Sequence, residues 1–274
     1  MLEQQRLQRL IDRLHARAQP PLPAGLIALT IDGIRVGDVQ PAVARFLAEK
    51  VDGFSLSGDT SLLADGALDF KARSELLANA AERLREAGMV IGWRDEALSV
   101  GDPPLALIER AACRPLGIAT TAVHLNAYVD ADTLLVARRA AHKQIDPGLW
   151  DNLVGGMVPA GESLKHALAR EAWEEAGLQL DRSHVVRGRS FHVHRSVPEG
   201  MQSEVIHTFD TSLPPGFHPH NRDGEVDAIE RRKVEDVISA IERDEFTLES
   251  ALVTLESIAR RGAVKTPAGV FRVG

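Results

Sequence analysis

The chain has 274 residues, of which 44% are hydrophobic and 26% are charged, and its formal net charge is −7. This composition is typical of a soluble globular protein with enough apolar material for a core, and the length favours roughly two domains. The negative charge argues against a general nucleic-acid-binding protein, which needs a basic face. The single cysteine, Cys113, excludes an internal disulfide, and we expect it to be buried as a small apolar residue.

The N-terminal stretch is charged and lacks the apolar core of a signal peptide. No run of about 18 apolar residues occurs that could span a membrane. We therefore expect a soluble, cytoplasmic protein without a membrane partner.

The first part of the chain, residues 1–115, predicts a small α+β domain. Apolar residues recur there at helical spacing in three segments, with short β-prone runs between them. The predicted helices cover 2–17, 41–50 and 71–88, and the predicted strands lie within 26–36 and 51–63. Asp32-Gly33 indicates a hairpin turn within the first strand segment. No dense cluster of histidine, cysteine and carboxylate residues occurs in this part, so it is assigned no chemistry.

From residue 116 to residue 274 the pattern changes to longer β-rich runs interleaved with helices. The predicted strands cover 118–129, 133–136, 185–194 and 205–210, and the predicted helices cover 163–176, 235–242 and 248–261. This pattern indicates a second domain of mixed α/β class.

The stretch from Gly156 to Leu178 reads GMVPAGESLKHALAREAWEEAGL. Glu171, Glu174 and Glu175 fall at positions i, i+3 and i+4, so they share one face of a helix. Like charges this close weaken an isolated helix by a few tenths of a kcal/mol per pair. Because clustered carboxylates supply the hard oxygen ligands that divalent cations bind, the spacing indicates a metal site.

This stretch resembles the Nudix box, G-x5-E-x7-R-E-U-x-E-E-x-G-U with U apolar, and matches it at every position. The fixed residues of the box are Gly156, Glu162, Arg170, Glu171, Glu174, Glu175 and Gly177. The resemblance implies the Nudix fold, an α/β/α sandwich with a mixed sheet between helices, preceded here by the small α+β domain.

The resemblance also implies a hydrolase that acts on phosphoric anhydride bonds and uses Mg²⁺, or Mn²⁺ in its place. It places metal ligands at Glu171, Glu174 and Glu175, with the backbone carbonyl of Gly156 nearby, and has Arg170 pair with the acids. For Glu162 the resemblance implies one of two roles: an ion pair with Arg170, or assistance to a metal ion through a water molecule. The general base stays open between Glu171 and Glu175, with Glu225 as a third candidate.

Three cations, Arg138, Arg139 and Lys143, lie between a predicted strand and the box. Side chains of this kind bind phosphate oxygens, so we expect the three to contact the substrate. Glu225, in the loop sequence NRDGE, is expected at the same edge.

Four further segments resemble the Nudix part that some eukaryotic thiamin pyrophosphokinases carry. They read IDGIRVGDVQPAVARFL, GWRDE, GLWDNLVGG and NRDGEVDAIE. This narrower resemblance implies hydrolysis of thiamin diphosphate or its oxidised analogues to the monophosphate and phosphate. Two alternatives stay open: a nucleoside-linked diphosphate, such as a nucleotide sugar, a dinucleotide or a non-canonical NTP, and a catalytically silent ligand sensor. The expected partner is a small-molecule diphosphate, and a homodimer is left open.

Overall fold

The computed structural model describes residues 2–58, 61–64, 68–180, 184–222 and 224–263. The first part contains α1 (Leu2–Ala18), β1 (Ile27–Ile31), β2 (Ile34–Val39), α2 (Pro41–Lys50), β3 (Ser55–Ser57), β4 (Ser61–Ala64), α3 (Phe70–Glu86), β5 (Ala97–Val100), β6 (Ala106–Glu109), a 3-10 turn (Arg110–Ala112) and α4 (Cys113–Leu116). The second part contains β7 (Thr120–Asp130), β8 (Thr133–Arg139), β9 (Trp150–Asn152), β10 (Val154–Met157), α5 (Leu164–Ala176), β11 (Val185–Val197), β12 (Gly200–Ser212), β13 (Val226–Lys233), α6 (Val234–Glu242) and α7 (Leu248–Ala263). None of the described helices is long and apolar enough to cross a membrane.

The predicted helices of both parts are confirmed to within two residues at each end. The sequence pattern did not predict the hairpin of β5 and β6, the short strands β9 and β10, or β13. Residues 59 and 60 of the predicted strand segment 51–63, Asp223 of the NRDGE loop and residues 264–274 lie outside the described residues.

The first part is built on a four-stranded sheet in the order β2-β1-β4-β3, in which β1 runs antiparallel to β2 and parallel to β4. The predicted hairpin is present, and both turn residues, Asp32 and Gly33, have positive φ angles of 47° and 77°. These angles fit a tight turn that matches the strand twist. Asp32 also accepts hydrogen bonds from Arg73, which attaches α3 to this end of the sheet.

Cys113 lies in the core of this first part, as predicted. Burial raises the pKa of its thiol to about 12. The thiol is therefore neutral and unsuited to nucleophilic or metal-binding chemistry.

The second part confirms the α/β/α sandwich. Its sheet has the order β11-β12-β7-β8-β13, with β10 paired to β7 and β9 paired to β8, and it is mixed because β12 runs parallel to β7. Successive residues of β7 point to opposite faces. Val123 and Leu125 therefore pack on α5, whereas Ala122 and Tyr128 pack in the cluster that contains α6 and α7.

Helix α1 packs on the second part of the chain, although the predicted boundary between residues 115 and 116 groups it with the first. Leu10, Ile11 and Leu14 are buried in the same apolar cluster as Leu252 and Leu255 of α7. The helical spacing correctly predicted an apolar face. A local pattern does not specify the surface that such a face covers, so this packing could not be read from the sequence.

The two parts meet at a close backbone contact beside the start of β7. A Cβ atom added at Gly37 of β2 would overlap the carbonyl oxygen of Leu116, and one added at Gly117 would overlap the backbone of Asp38. A second contact joins the box loop to the first part, because the N–H of Ala160 donates to the carbonyl of Ala97 at 2.9 Å. These contacts hold residues of the first part beside the box.

Candidate active site

The box folds as a strand, a loop and a helix. Strand β10 pairs antiparallel with β7 and places Gly156 opposite Val123. Helix α5 begins after Ser163, whose side chain accepts a hydrogen bond from the N–H of His166, and it ends at Gly177 with a left-handed φ of 63°. Both residue types are those that such helix ends favour.

Arg170 is the centre of the carboxylate cluster. Its guanidinium lies 3.0 Å from Glu162, 2.8 Å from Glu171 and 3.1 Å from Glu174. Burial disfavours the charged guanidinium, but the hydrogen bonds and charges of Glu162 and Glu171 outweigh it and raise the pKa of Arg170. The ion pair with Glu162 is one of the two roles that the resemblance implied for that residue.

Glu171 is held between the arginine and the strand. A Cβ atom added at Gly156 would overlap the carboxyl carbon and one carboxyl oxygen of Glu171, so this carboxyl position requires glycine at residue 156. Burial raises the pKa of Glu171, and the neighbouring Arg170 opposes this shift. The carboxyl group is therefore fixed in place and has an increased affinity for a proton.

Glu175 lies on the more buried side of the helix and accepts a hydrogen bond from the N–H of Gly155 at 2.9 Å. The predicted metal ligands are thus divided, with Glu171 and Glu174 facing Arg170 and Glu175 facing β10. Among the described residues, no three histidine, cysteine or acidic side chains converge closely enough to enclose a metal ion.

The donor set nevertheless fits a hard divalent cation. Mg²⁺ takes oxygen ligands, often only one or two carboxylates, and keeps several waters. Glu171 and Glu174 supply carboxylate oxygens, and both line a cavity with room for such waters and a substrate.

This cavity has a volume of about 860 Å³, within the size range of small-molecule sites. Both parts of the chain line it. The second part contributes the box acids, and the first part contributes Ile91, Arg94, Arg110 and Arg114.

Two of the three predicted phosphate-binding cations, Arg139 and Lys143, line this cavity, and Arg138 does not. Arg138 donates to the carbonyl of Gly148 at 3.1 Å and lies over the ring of Trp150. Neighbouring residues of a strand point in opposite directions, and here Arg138 is directed to Trp150 while Arg139 reaches the cavity.

The two cations in the cavity are paired with acids. Arg139 lies 3.0 Å from Asp151, and Lys143 forms an ion pair with Glu225. Burial alone would raise the pKa of Glu225, but the hydrogen bond and charge of Lys143 lower it overall. Glu225 also lines the cavity, at the edge where the sequence placed it.

Sequence reasoning missed the arginines that the first part contributes. Arg110 donates to Glu96 at 2.7 Å, and its charge is a minor influence that favours the ionised form of Glu171, Glu204 and Glu225. Arg110 and these three acids all line the cavity. Nothing near Arg110 in the sequence distinguishes it from a surface arginine, because its role depends on contacts between the two parts of the chain.

Known protein families match both parts of the chain. A model of the NUDIX domain matches residues 119–252, and a model of a domain of unknown function (DUF4743) matches residues 16–120. Nudix hydrolase 24, chloroplastic, of Arabidopsis thaliana is 30% identical over 255 residues, which are 87% of this chain and 68% of that protein. Nudix hydrolase 20, chloroplastic, of the same plant is 29% identical over 260 residues, 87% of this chain and 69% of that protein.

Among solved structures, the MutT protein from Methanosarcina mazei Go1 is 21% identical, with a TM-score of 0.41 over 53% of this chain and 95% of that one. The matching domain, the two plant relatives and the complete box lead to the same assignment. This chain belongs to the Nudix hydrolases, enzymes that act on diphosphate bonds.

Proposed function

We propose that the protein is a metal-dependent pyrophosphohydrolase that cleaves the diphosphate linkage of a small organic diphosphate to the monophosphate and phosphate. The observation that carries this proposal is the cavity in which the box acids face arginines of the first part of the chain. Carboxylates can hold a cation on one side of a diphosphate, and guanidinium groups can bind its oxygens from the other.

Nudix hydrolases generally use divalent metals such as Mg²⁺ or Mn²⁺, and a bound ion neutralises phosphate charge and makes water more acidic. In this chain Glu171 and Glu174 would hold it, with the carbonyl of Gly156 nearby. Arg170 keeps these two carboxylates in register through its ion pairs with both.

Hydrolysis forms a bond between a water oxygen and phosphorus and breaks the bond to the bridging oxygen, which leaves on the other phosphate. The water proton must pass to a base. Glu171 is one of three candidates for this base. Glu175 and Glu225 are the other two candidates, and the hydrogen bond that Gly155 donates to Glu175 and the ion pair of Glu225 with Lys143 both favour the charged carboxylate.

Thiamin diphosphate or its oxidised analogues are our first candidates for the substrate. The support is the resemblance of four segments to the Nudix part fused to thiamin pyrophosphokinases. Two of these segments, IDGIRVGDVQPAVARFL and GWRDE, contribute Gln40, Arg94 and Glu96 to the cavity. A nucleoside-linked diphosphate is the alternative substrate class, and the intact box argues against a silent ligand sensor.

The test is release of the monophosphate product, measured by chromatography, from thiamin diphosphate, oxythiamin diphosphate, ADP-ribose, NADH and dNTPs, with Mg²⁺ and with EDTA. We expect metal-dependent release from the thiamin compounds, its loss in Glu174→Gln, and its retention in Glu49→Gln, which changes an exposed acid on α2. Release from nucleotides alone would reject the thiamin assignment. No release from any compound by the folded, magnesium-loaded protein would favour the sensor.

The cytoplasmic location and the homodimer remain predictions in this proposal. The names of the two plant relatives include the word chloroplastic, which describes those proteins.

A further inference from the structure

Glu204 is a buried acid in the cavity that the box chemistry does not use. It lies on β12, its exposed fraction is 6%, and it is among the residues that line the cavity. The hydroxyl of Thr120 donates to it at 3.4 Å and lies equally near the carbonyl of Ser203, at 3.3 Å. A hydrogen bond this long and divided satisfies a buried carboxyl group poorly, and such groups are costly without good partners.

The surroundings of Glu204 favour the neutral acid. Burial and the nearby carboxylate of Glu249 raise its pKa, and the charges of His124, Arg114 and Arg110 act in the opposite direction. A neutral carboxyl group presents one donor, the O–H, beside one acceptor, the C=O.

Glu204 and the box lie on opposite sides of the central strand. In the β-sheet register Gly156 pairs with Val123 of β7, whereas Glu204 pairs with Thr120 of the same strand. Three residues along a strand and two strand spacings across it separate the Cα atoms of Gly156 and Glu204 by roughly 14 Å. A ligand with its diphosphate at the box can therefore reach Glu204 with its organic end if it spans about this distance.

The cavity also has apolar walls for such an organic group. Three of its lining residues are large apolar side chains that remain exposed to solvent: Met89, Ile91 and Ile145, with exposed fractions of 37%, 61% and 36%. Exposed apolar side chains that share one concave site are typical of ligand pockets, because a flat ring can cover them.

We propose that Glu204 binds the organic end of the substrate through the amidine edge of an amino-substituted nitrogen heterocycle, such as an aminopyrimidine or an adenine. The carboxyl O–H donates to the ring nitrogen, and the carboxyl C=O accepts from the adjacent amino group. This inference rests on the proposed function, which places the diphosphate at the box.

The experiment measures binding without hydrolysis, by calorimetric titration with thiamin monophosphate, AMP and ribose 5-phosphate. None of these compounds contains an anhydride bond, and only the first two carry an amino-substituted heterocycle. The wild-type protein should bind at least one of the two heterocyclic compounds roughly tenfold or more tightly than ribose 5-phosphate, a difference of about 1.4 kcal/mol.

Three substitutions of Glu204 separate the possible interactions. Glu204→Leu removes both hydrogen bonds and should weaken binding of the heterocyclic ligand about tenfold or more, with ribose 5-phosphate unchanged. Glu204→Asp retracts the carboxyl group by one methylene and should weaken binding of the heterocyclic ligand about fivefold or more. This variant keeps the test decisive if the leucine variant does not fold. Glu204→Gln should stay within about threefold of the wild type, because a glutamine amide also offers a donor beside an acceptor and pairs with adenine in this way.

Glu256→Gln is the control, because it changes a partly buried glutamate of α7 that lies outside the cavity lining. Unchanged binding in the leucine and aspartate variants would overturn the inference. An equal loss in the glutamine and leucine variants would also overturn it, because a charged carboxylate would then be required. If these binding results hold but no diphosphate is hydrolysed, the proposed function fails and the heterocycle site stands.

Discussion

Gly156 on β10 lies directly against the carboxyl group of Glu171 on α5, so that a Cβ atom at this position would overlap both the carboxyl carbon and Oε1. The strand and the helix are therefore in contact at two predicted metal ligands, the carbonyl of Gly156 and the carboxylate of Glu171. In this chain the absence of a side chain at Gly156 leaves the space that the acid occupies.

Gly156→Ala should displace Glu171 while leaving the fold intact. A misplacement of about 1 Å at a reacting centre can cost roughly 10²-fold in rate, and we expect a loss of that order in kcat. Gly262→Ala is the matched control, because no atom lies within 4 Å of the added methyl group. Steady-state kinetics with circular dichroism check both variants, and full activity in Gly156→Ala would show that the contact does not position the acid.

Arg110→Met should raise KM about tenfold and change kcat little. Arg110 lines the cavity and its charge acts on Glu171, Glu204 and Glu225, so we expect it to bind phosphate oxygens in both the ground state and the transition state. Arg45→Met, an exposed change on α2, is the control. A fall in kcat at constant KM would instead assign Arg110 to the chemical step.

The pair of Lys143 and Glu225 should make stability depend on pH. The pKa of Glu225 in the folded protein lies below its ordinary value of 4.5, so the pair stabilises the fold above that pH. This contribution is lost as the pH falls through the lower folded value, because the carboxylate is then protonated in both states.

A double-mutant cycle with Lys143→Met and Glu225→Gln measures this coupling by urea unfolding from pH 7 to pH 3.5. Both side chains are partly exposed, so we expect a coupling of about 0.5–1 kcal/mol at pH 7 and a smaller coupling at the acid end. A coupling that stays constant over this range would show that the charge of Glu225 does not contribute.

Leu14→Ala should destabilise the second part of the chain. Leu14 is 1% exposed within the apolar cluster that α1 forms with α6 and α7, and a leucine-to-alanine change at such a site costs about 2–5 kcal/mol. Arg9→Ala, on the exposed side of the same helix, should stay within about 0.5 kcal/mol of the wild type. Equal effects of the two substitutions in urea unfolding would show that α1 does not stabilise the fold through this face.

The sequence by itself determined the features that depend on neighbouring residues. The box spacing identified the family and placed Glu171 and Glu174 on one face of a helix, because 3.6 residues make a helical turn. Helix α5 begins after Ser163 and ends at Gly177, and Asp32-Gly33 forms the predicted turn. These features follow from the sequence because they depend on local backbone preferences.

Only the tertiary structure decided which of the remaining side chains share the cavity. Arg138 and Arg139 are adjacent in sequence, but the pairing of β8 sends only Arg139 to the site. Arg110 and Glu204 are 94 positions apart and meet at the cavity because the first part of the chain packs beside the start of β7. A local pattern specifies that a residue faces outward from its own element, but the packing of distant elements decides what that residue contacts.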